Sequence, residues 1–206
     1  TKYIPISLAA LLFFIYPPVV AILNHVIAKK WPSLIKTISI TVAFLGLAVM
    51  LGVDLNQIDL RGVVIGITAG IACAVNIIWV ARKVSGVHPF VIVFYQSAIA
   101  SLIIGVLAWY LDELRLPNEI GGWLGFLLVG VLQTVSIPFF YFAIQRIGSE
   151  PTAMMNNSQP IASIVAAILI FNEGLTLERF FGAIMVIGGI FVTQWDDLKS
   201  TQNKLP

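Results

Sequence analysis

Seven apolar runs, at about 4–28, 33–53, 61–81, 88–111, 120–145, 151–171 and 177–195, alternate along this chain with short polar breaks. Each run is near the ~20 residues that a helix needs to cross the hydrocarbon core of a bilayer. No carboxylate or base sits in the middle of any of them. The breaks carry the charged and turn-forming residues: Lys29-Lys30-Trp31-Pro32, Asp54 to Asp59, Arg82-Lys83, Asp112 to Glu119, Arg146 to Glu150 and Asn172-Glu173-Gly174. The pattern predicts an all-α integral membrane protein, a polytopic helix bundle with a polar tail after Trp195.

The runs also repeat. At a spacing of 142 residues, Ser7 falls on Ser149, Pro18 on Pro160 and Gly46 on Gly188. Both copies read as an apolar helix, a polar break and a second apolar helix. Each first helix holds proline in its interior, Pro17-Pro18 in one copy and Pro160 in the other, and proline cannot donate to the carbonyl one turn back. A duplication of this kind points to a transporter with its site between the halves. The three prolines are expected to act as hinges or cavity wall, with a static kink as the alternative. Helices 4–28 and 151–171 are expected to lie side by side.

Composition sharpens the class. Hydrophobic residues make up 59% of the chain and charged residues 11%, against roughly 25% charged in a soluble domain, and the mean hydropathy is +0.96. Lipid must be the solvent. A net charge of +2 is too small to suggest a nucleic-acid partner, and none is expected. Cys73 is the single cysteine, so no disulfide and no thiol metal site is expected, and no cofactor is implied. His25 and His88 fall near helix ends, as interfacial residues do.

Cytoplasmic loops retain Lys and Arg. Placing the tail in the cytoplasm puts eight basic residues, including Lys29, Lys30, Lys36, Arg82, Lys83 and Arg146, on its side and four on the other, where seven of the ten carboxylates fall. An odd number of spans separates matching elements, so the two copies are inverted. The helices expected to complete the first half have no counterpart here. Roughly 80 preceding residues, three helices, would restore the symmetry of an inverted-repeat plan. The reading is thus helices four to ten of a ten-helix transporter fold truncated to seven. Residues 1–53 close the first repeat, 60–195 form the second, and 196–206 form a cytoplasmic tail.

The run Asn172-Glu173-Gly174-Leu175-Thr176 follows a helix containing Gln159-Pro160 and precedes Gly182-Ala183 and Gly188-Gly189. This resembles the end of an EamA-type repeat of the drug/metabolite transporter superfamily, with its proline-bearing penultimate helix, acidic turn and glycine-bearing last helix. The turn here reads Asn-Glu-Gly, the residue before Pro160 is Gln where many members have Glu, and Lys30-Trp31-Pro32 replaces the acidic turn in the first copy. The resemblance implies ten helices, cytoplasmic termini in a bacterial inner membrane, and export or exchange of small metabolites. It also implies a central cavity walled in part by 4–28 and 151–171.

Uncharged polar residues at membrane depth need partners, so they either bond between helices or face a cavity. The candidates for solute contact are Asn156, Asn157 and Gln159 before Pro160, Gln133, Ser136 and Tyr141 on helix 120–145, and Asn76 on helix 61–81. At least one of the 156–159 amides is expected to share a cavity with Gln133 or Asn76. Bonding between helices is the alternative for each. Gly62, Gly66, Gly70 and Ala74 form a small-residue stripe expected to pack against another helix. Trp109, Tyr110 and Trp195 suit an interfacial belt. The expected partners are the bilayer and a small organic solute, with a homodimer left open. A secondary transporter by alternating access is the leading function; a channel-like facilitator or a structural subunit is the alternative. No nucleophile or metal set at membrane depth suggests an enzyme.

Overall fold

The computed structural model describes residues 4–29, 32–52, 59–112, 117–171 and 176–202. Among these it is entirely helical, with α1 Ile6–Phe13, α2 Tyr16–Ala28, α3 Leu34–Met50, α4 Leu60–Lys83, α5 Pro89–Tyr110, α6 Ile120–Ile147, α7 Ser149–Met155, a 3-10 turn at Asn156–Ser158, α8 Gln159–Phe171 and α9 Leu177–Gln202. Glu173 and Lys30-Trp31, which carry the acidic turn and its replacement, lie outside the described residues.

Among the described residues, five stretches are long and apolar enough to span a bilayer: Ile6–Ala28, Leu60–Lys83, Pro89–Tyr110, Ile120–Ile147 and Leu177–Asp196. The protein is an integral membrane protein. The other two expected spans exist in shorter form. α3 is a 17-residue apolar helix, and the 149–171 stretch is interrupted by its 3-10 turn. The last helix passes the expected end at Trp195 and continues to Gln202. Polarity there marks where the chain leaves hydrocarbon. The helix itself has no reason to stop, because residues 196–202 contain neither proline nor glycine.

The chain divides into two compact units. One comprises Thr1–Ile78 and Ser149–Pro206, the other Trp79–Gly148. The first unit contains the helix pairs of both copies. In each copy the first helix breaks at the matching place, at Phe14–Ile15 before α2 and at Asn156–Ser158 before α8, and α2 and α8 have 13 residues each. Pro17 and Pro18 offer no N–H to the carbonyls of Phe13 and Phe14, which explains the first break. Pro138 stands inside α6 without breaking it, so a lone proline is not sufficient.

The second helices of the two copies, α3 and α9, lie antiparallel and very close. A Cβ built on Gly46 would sit 2.6 Å from Met185 Cβ and 2.8 Å from the Gly182 carbonyl oxygen; one on Gly182 would sit 2.6 Å from the Gly46 oxygen. Further along, Gly189 meets the Ser39 oxygen at 2.6 Å from the same construction. Gly188, the repeat mate of Gly46, has nothing within 4 Å. Helices in lipid gain no hydrophobic drive for association, so contact of this kind depends on small residues that let backbones approach. The small-residue stripe on α4 serves the same end: Gly66 faces Leu12, Gly70 lies against Ile15 and the Leu12 and Phe13 oxygens, and Ala74 is fully buried.

In the second unit α5 and α6 are joined near the start of α5 and the end of α6. Tyr141 Oη donates to Gln96 Oε1 at 2.6 Å, Gln145 Nε2 donates to the Val87 oxygen at 2.8 Å, and His88 meets Phe142 edge to face. Every residue of α6 from Ile120 to Ser136 is exposed. Nearly all are apolar, as a surface solvated by hydrocarbon must be.

The glycine contacts make a specific prediction. Gly182→Ala is expected to destabilise the protein by about 1–3 kcal/mol through overpacking, while Gly188→Ala leaves stability unchanged or slightly raised. Thermal unfolding of the two variants in detergent checks it.

Candidate functional site

Because the two copies run antiparallel, residues along α1–α2 and along α7–α8 meet in reverse order, and four levels follow one another through the first unit. At the end where α3 stops and α9 starts, a cavity of about 550 Å³ opens. Ala10 and Phe14 of the first copy's broken helix, Val49 to Gly52 at the end of α3, Gln159, Pro160, Ser163 and Ile164 of α8, and Thr176, Glu178 and Arg179 at the start of α9 line it. Both copies contribute to its wall. The wall mixes apolar side chains with an amide, two hydroxyls and the charged Glu178 and Arg179.

Beneath the cavity the two helix breaks touch. Asn156 Nδ2 donates to Tyr16 Oη at 2.7 Å, and the same amide nitrogen lies 3.3 Å from Gln159 Oε1. Tyr16 is 1% exposed. A hydrogen-bonded line thus runs from the cavity wall at Gln159 through Asn156 to the first copy. Asn157, one residue on, is buried, and its Oδ1 has no partner among the described residues. Ser158 turns its hydroxyl back to the Met155 oxygen.

The third level is apolar: Ala21, Ile40, Ala43 and Met154 form a buried cluster. The fourth, at the opposite end from the cavity, is polar and tightly bonded. Lys36 Nζ lies 2.8 Å from Glu150 Oε1, Asn24 Nδ2 donates to Ser149 Oγ at 2.9 Å, Ser33 Oγ donates to Asp196 Oδ2 at 2.5 Å, and Gln194 Nε2 donates to the Pro151 oxygen at 3.4 Å. Ser33 also caps α3, its hydroxyl accepting from the Lys36 N–H at 3.0 Å. His25 directs Nδ1 to the Ala21 oxygen at 2.6 Å, within its own helix.

Of the sequence candidates, Gln159 and Pro160 stand on the cavity wall, Asn156 touches it through Gln159, and Asn157 is buried beside the break. Pro17 is buried and Pro18 half-buried, directly after the first break. Asn76 is half-buried on α4 and is not among the residues that line the cavity. Gln133, Ser136 and Tyr141 belong to the other compact unit and do not act as one stripe. Gln133 and Ser136 are exposed, with the serine hydroxyl 3.5 Å from the amide oxygen, whereas Tyr141 is buried and spends its hydroxyl on Gln96. Five residues of an α-helix turn through about 500°, which carries Tyr141 well away from the face of Ser136. Sequence reasoning missed Tyr16, Ser163 and the Lys36–Glu150 pair. Tyr16 adjoins Pro17, and an aromatic hydroxyl beside a helix break was the available signal.

Similarity to known proteins agrees with this architecture. Residues 60–195 match the EamA-like transporter family. An uncharacterized transporter of Synechocystis sp. is 25% identical over 98% of this chain and 63% of its own length. A WAT1-related protein of Arabidopsis thaliana is 29% identical over 51% of this chain and 31% of its own. The chain therefore spans less than two thirds of either relative. A solved crystal structure, 17% identical, superposes with a TM-score of 0.71 over 94% of this chain and 70% of that one, so the fold is shared. The match over most of the sequence, on a chain of membrane-spanning helices, places this protein in the EamA-like transporter family.

Proposed function

We propose that this chain is the solute-handling part of a secondary, ATP-independent transporter that exports or exchanges a small organic molecule by alternating access. The observation that carries the reading is the cavity walled by both inverted copies directly beside their helix breaks. Discontinuous helices at a repeat interface are where transporters of this plan bind solute. The mixed apolar and polar wall suits an amphipathic organic molecule, with Gln159 and Ser163 as its hydrogen-bonding contacts and Phe14 and Ile164 as its apolar ones. Pro17, Pro18 and Pro160 give the two breaks around which the copies rock. A channel-like facilitator would use the same wall without rocking.

With the tail in the cytoplasm, as the distribution of Lys and Arg favours, the cavity faces away from the cytoplasm and the Lys36–Glu150 level faces it. The cell type assigned is bacterial, with the protein in the inner membrane.

Two measurements test the reading. In proteoliposomes of the full-length protein, a panel of labelled organic solutes is expected to include one whose uptake is saturable and accelerated by unlabelled solute on the other side; unaccelerated, non-saturating flux would identify a channel. For that solute Gln159→Leu or Ser163→Ala is expected to raise the apparent KM about 2–10-fold, the value of one lost hydrogen bond, with membrane insertion intact. An unchanged KM in both variants moves the site elsewhere. Orientation is tested in a Cys73→Ser background: a membrane-impermeant maleimide applied to intact cells should label Glu178→Cys at once and Lys83→Cys only after permeabilisation. The reverse pattern inverts the assignment.

A further inference from the structure

Repeat symmetry makes a prediction that the structure fails to meet, and the failure is informative. Every contact between the copies at one end should have a mate at the other, displaced by the spacing of 142 residues. The mate of Lys36 is Glu178, and the mate of Glu150 is Leu8. Leu8 is buried at 5% exposure and cannot pair with a carboxylate, while Glu178 is exposed on the cavity rim. The mates of Asn24 and Ser149 are Ala166 and Ser7, and alanine offers no hydrogen bond. The mates of Ser33 and Asp196 are Leu175 and Asp54, and a leucine side chain carries no donor where the Ser33 hydroxyl donates to Asp196. Three ties between the copies at one end thus have no chemical equivalent at the other. At that other end the structure has the cavity.

Lys36 and Glu150 are the strongest of these ties. Their side chains are only 8% and 10% exposed, and Glu150 Oε1 has no hydrogen-bonding partner among the described residues besides the ammonium that faces it. Separating such a pair without water to replace it is costly, because the buried Glu150 carboxylate then loses the ammonium that faces it. Opening this end must admit water to both. The apolar level of Ala21, Ile40, Ala43 and Met154 lies between the pair and the joined breaks, so water admitted past the pair would next reach these residues.

We infer that Lys36–Glu150 is the cytoplasmic lock of the transport cycle, a tie present in one end only, which makes the resting protein favour the state with its cavity open to the other side. The inference rests on the alternating-access reading above. Solute bound at Gln159 reaches the lock through the Asn156–Tyr16 link and the apolar cluster, and transport requires the pair to part and reform once per cycle. Lys36 and Glu150 are positioning residues on this account; neither lines the cavity.

The test uses the full-length protein, Cys73→Ser, with Ala21→Cys as reporter. Ala21 is 4% exposed, and a thiol there is expected to resist a hydrophilic methanethiosulfonate supplied from the cytoplasmic side of inside-out vesicles. Neutralising both partners, Lys36→Met with Glu150→Gln, is expected to raise the modification rate about tenfold, as a two-state equilibrium shifts when one state loses a tie. The charge-swapped variant, Lys36→Glu with Glu150→Lys, is expected to restore protection. Thermal stability in detergent accompanies each variant, so that greater reactivity with an unchanged melting temperature is read as opening. If the neutral pair does not fold, Lys36→Cys with Glu150→Cys serves: a short bifunctional thiol cross-linker should abolish uptake and reductant should restore it. Protection equal to wild type in the folded neutral pair, or uptake untouched by the cross-link, overturns the lock. The labelling readout needs no solute. Reporter opening without saturable uptake of any solute would therefore retain the lock and discard the transport reading, and saturable uptake with no change in labelling would do the opposite.

Discussion

A helix interrupted at membrane depth uncovers backbone groups that hydrocarbon cannot satisfy, and the rest of this structure follows from where the chain puts its two interruptions. The pair of prolines after Ile15 and the amide-rich turn before Pro160 would each be costly against lipid. They are placed against each other instead, at the level where Tyr16 accepts from Asn156. The backbone of α4 approaches from another side at Gly70, which lies against the Leu12 and Phe13 oxygens. Phe14, Tyr16, Pro17, Asn157 and Pro160 at the breaks are buried in protein, and a polar wall can then exist beside them in an apolar medium.

Such an arrangement is stable only if the neighbouring helices hold the copies together, and hydrophobic association is absent between helices already in lipid. Close van der Waals contact supplies the attraction. Gly46, Gly182 and Gly189 let α3 and α9 approach until backbone meets backbone. The consequence is visible in how the chain divides: the two helix pairs of the two copies form one compact unit, although more than ninety residues of sequence separate them. The intervening α5 and the body of α6 form another.

The two ends of the first unit have opposite chemistry. One has a cavity with a rim of Thr176, Glu178 and Arg179; the other has a buried ion pair and a set of hydrogen bonds between copies. The duplication supplied similar backbones at both ends, and side chains alone distinguish them. The unequal side chains leave one end with a cavity and join the copies by an ion pair and hydrogen bonds at the other.

Much of the fold was legible in the sequence. Hydrocarbon permits few structures, so run length and break position were enough to place the helices and to name 4–28 and 151–171 as interrupted partners. Helix ends were less legible: α9 runs to Gln202 because polarity reports the edge of the bilayer and says nothing about helix propensity. Rotation of each helix about its axis was not legible at all. A helix apolar on every side carries no hydrophobic stripe to show which face turns inward, so Gln133, Ser136 and Tyr141 could not be sorted into exposed and bonded residues, and Gly188 could not be told from Gly182. The pairs that matter most, Tyr16 with Asn156 and Lys36 with Glu150, join residues more than a hundred positions apart. The sequence alone determined that polar groups at these depths must find partners. Only the packing of one copy against the other decided which partners they found, because partner choice depends on register and rotation between helices distant in the chain.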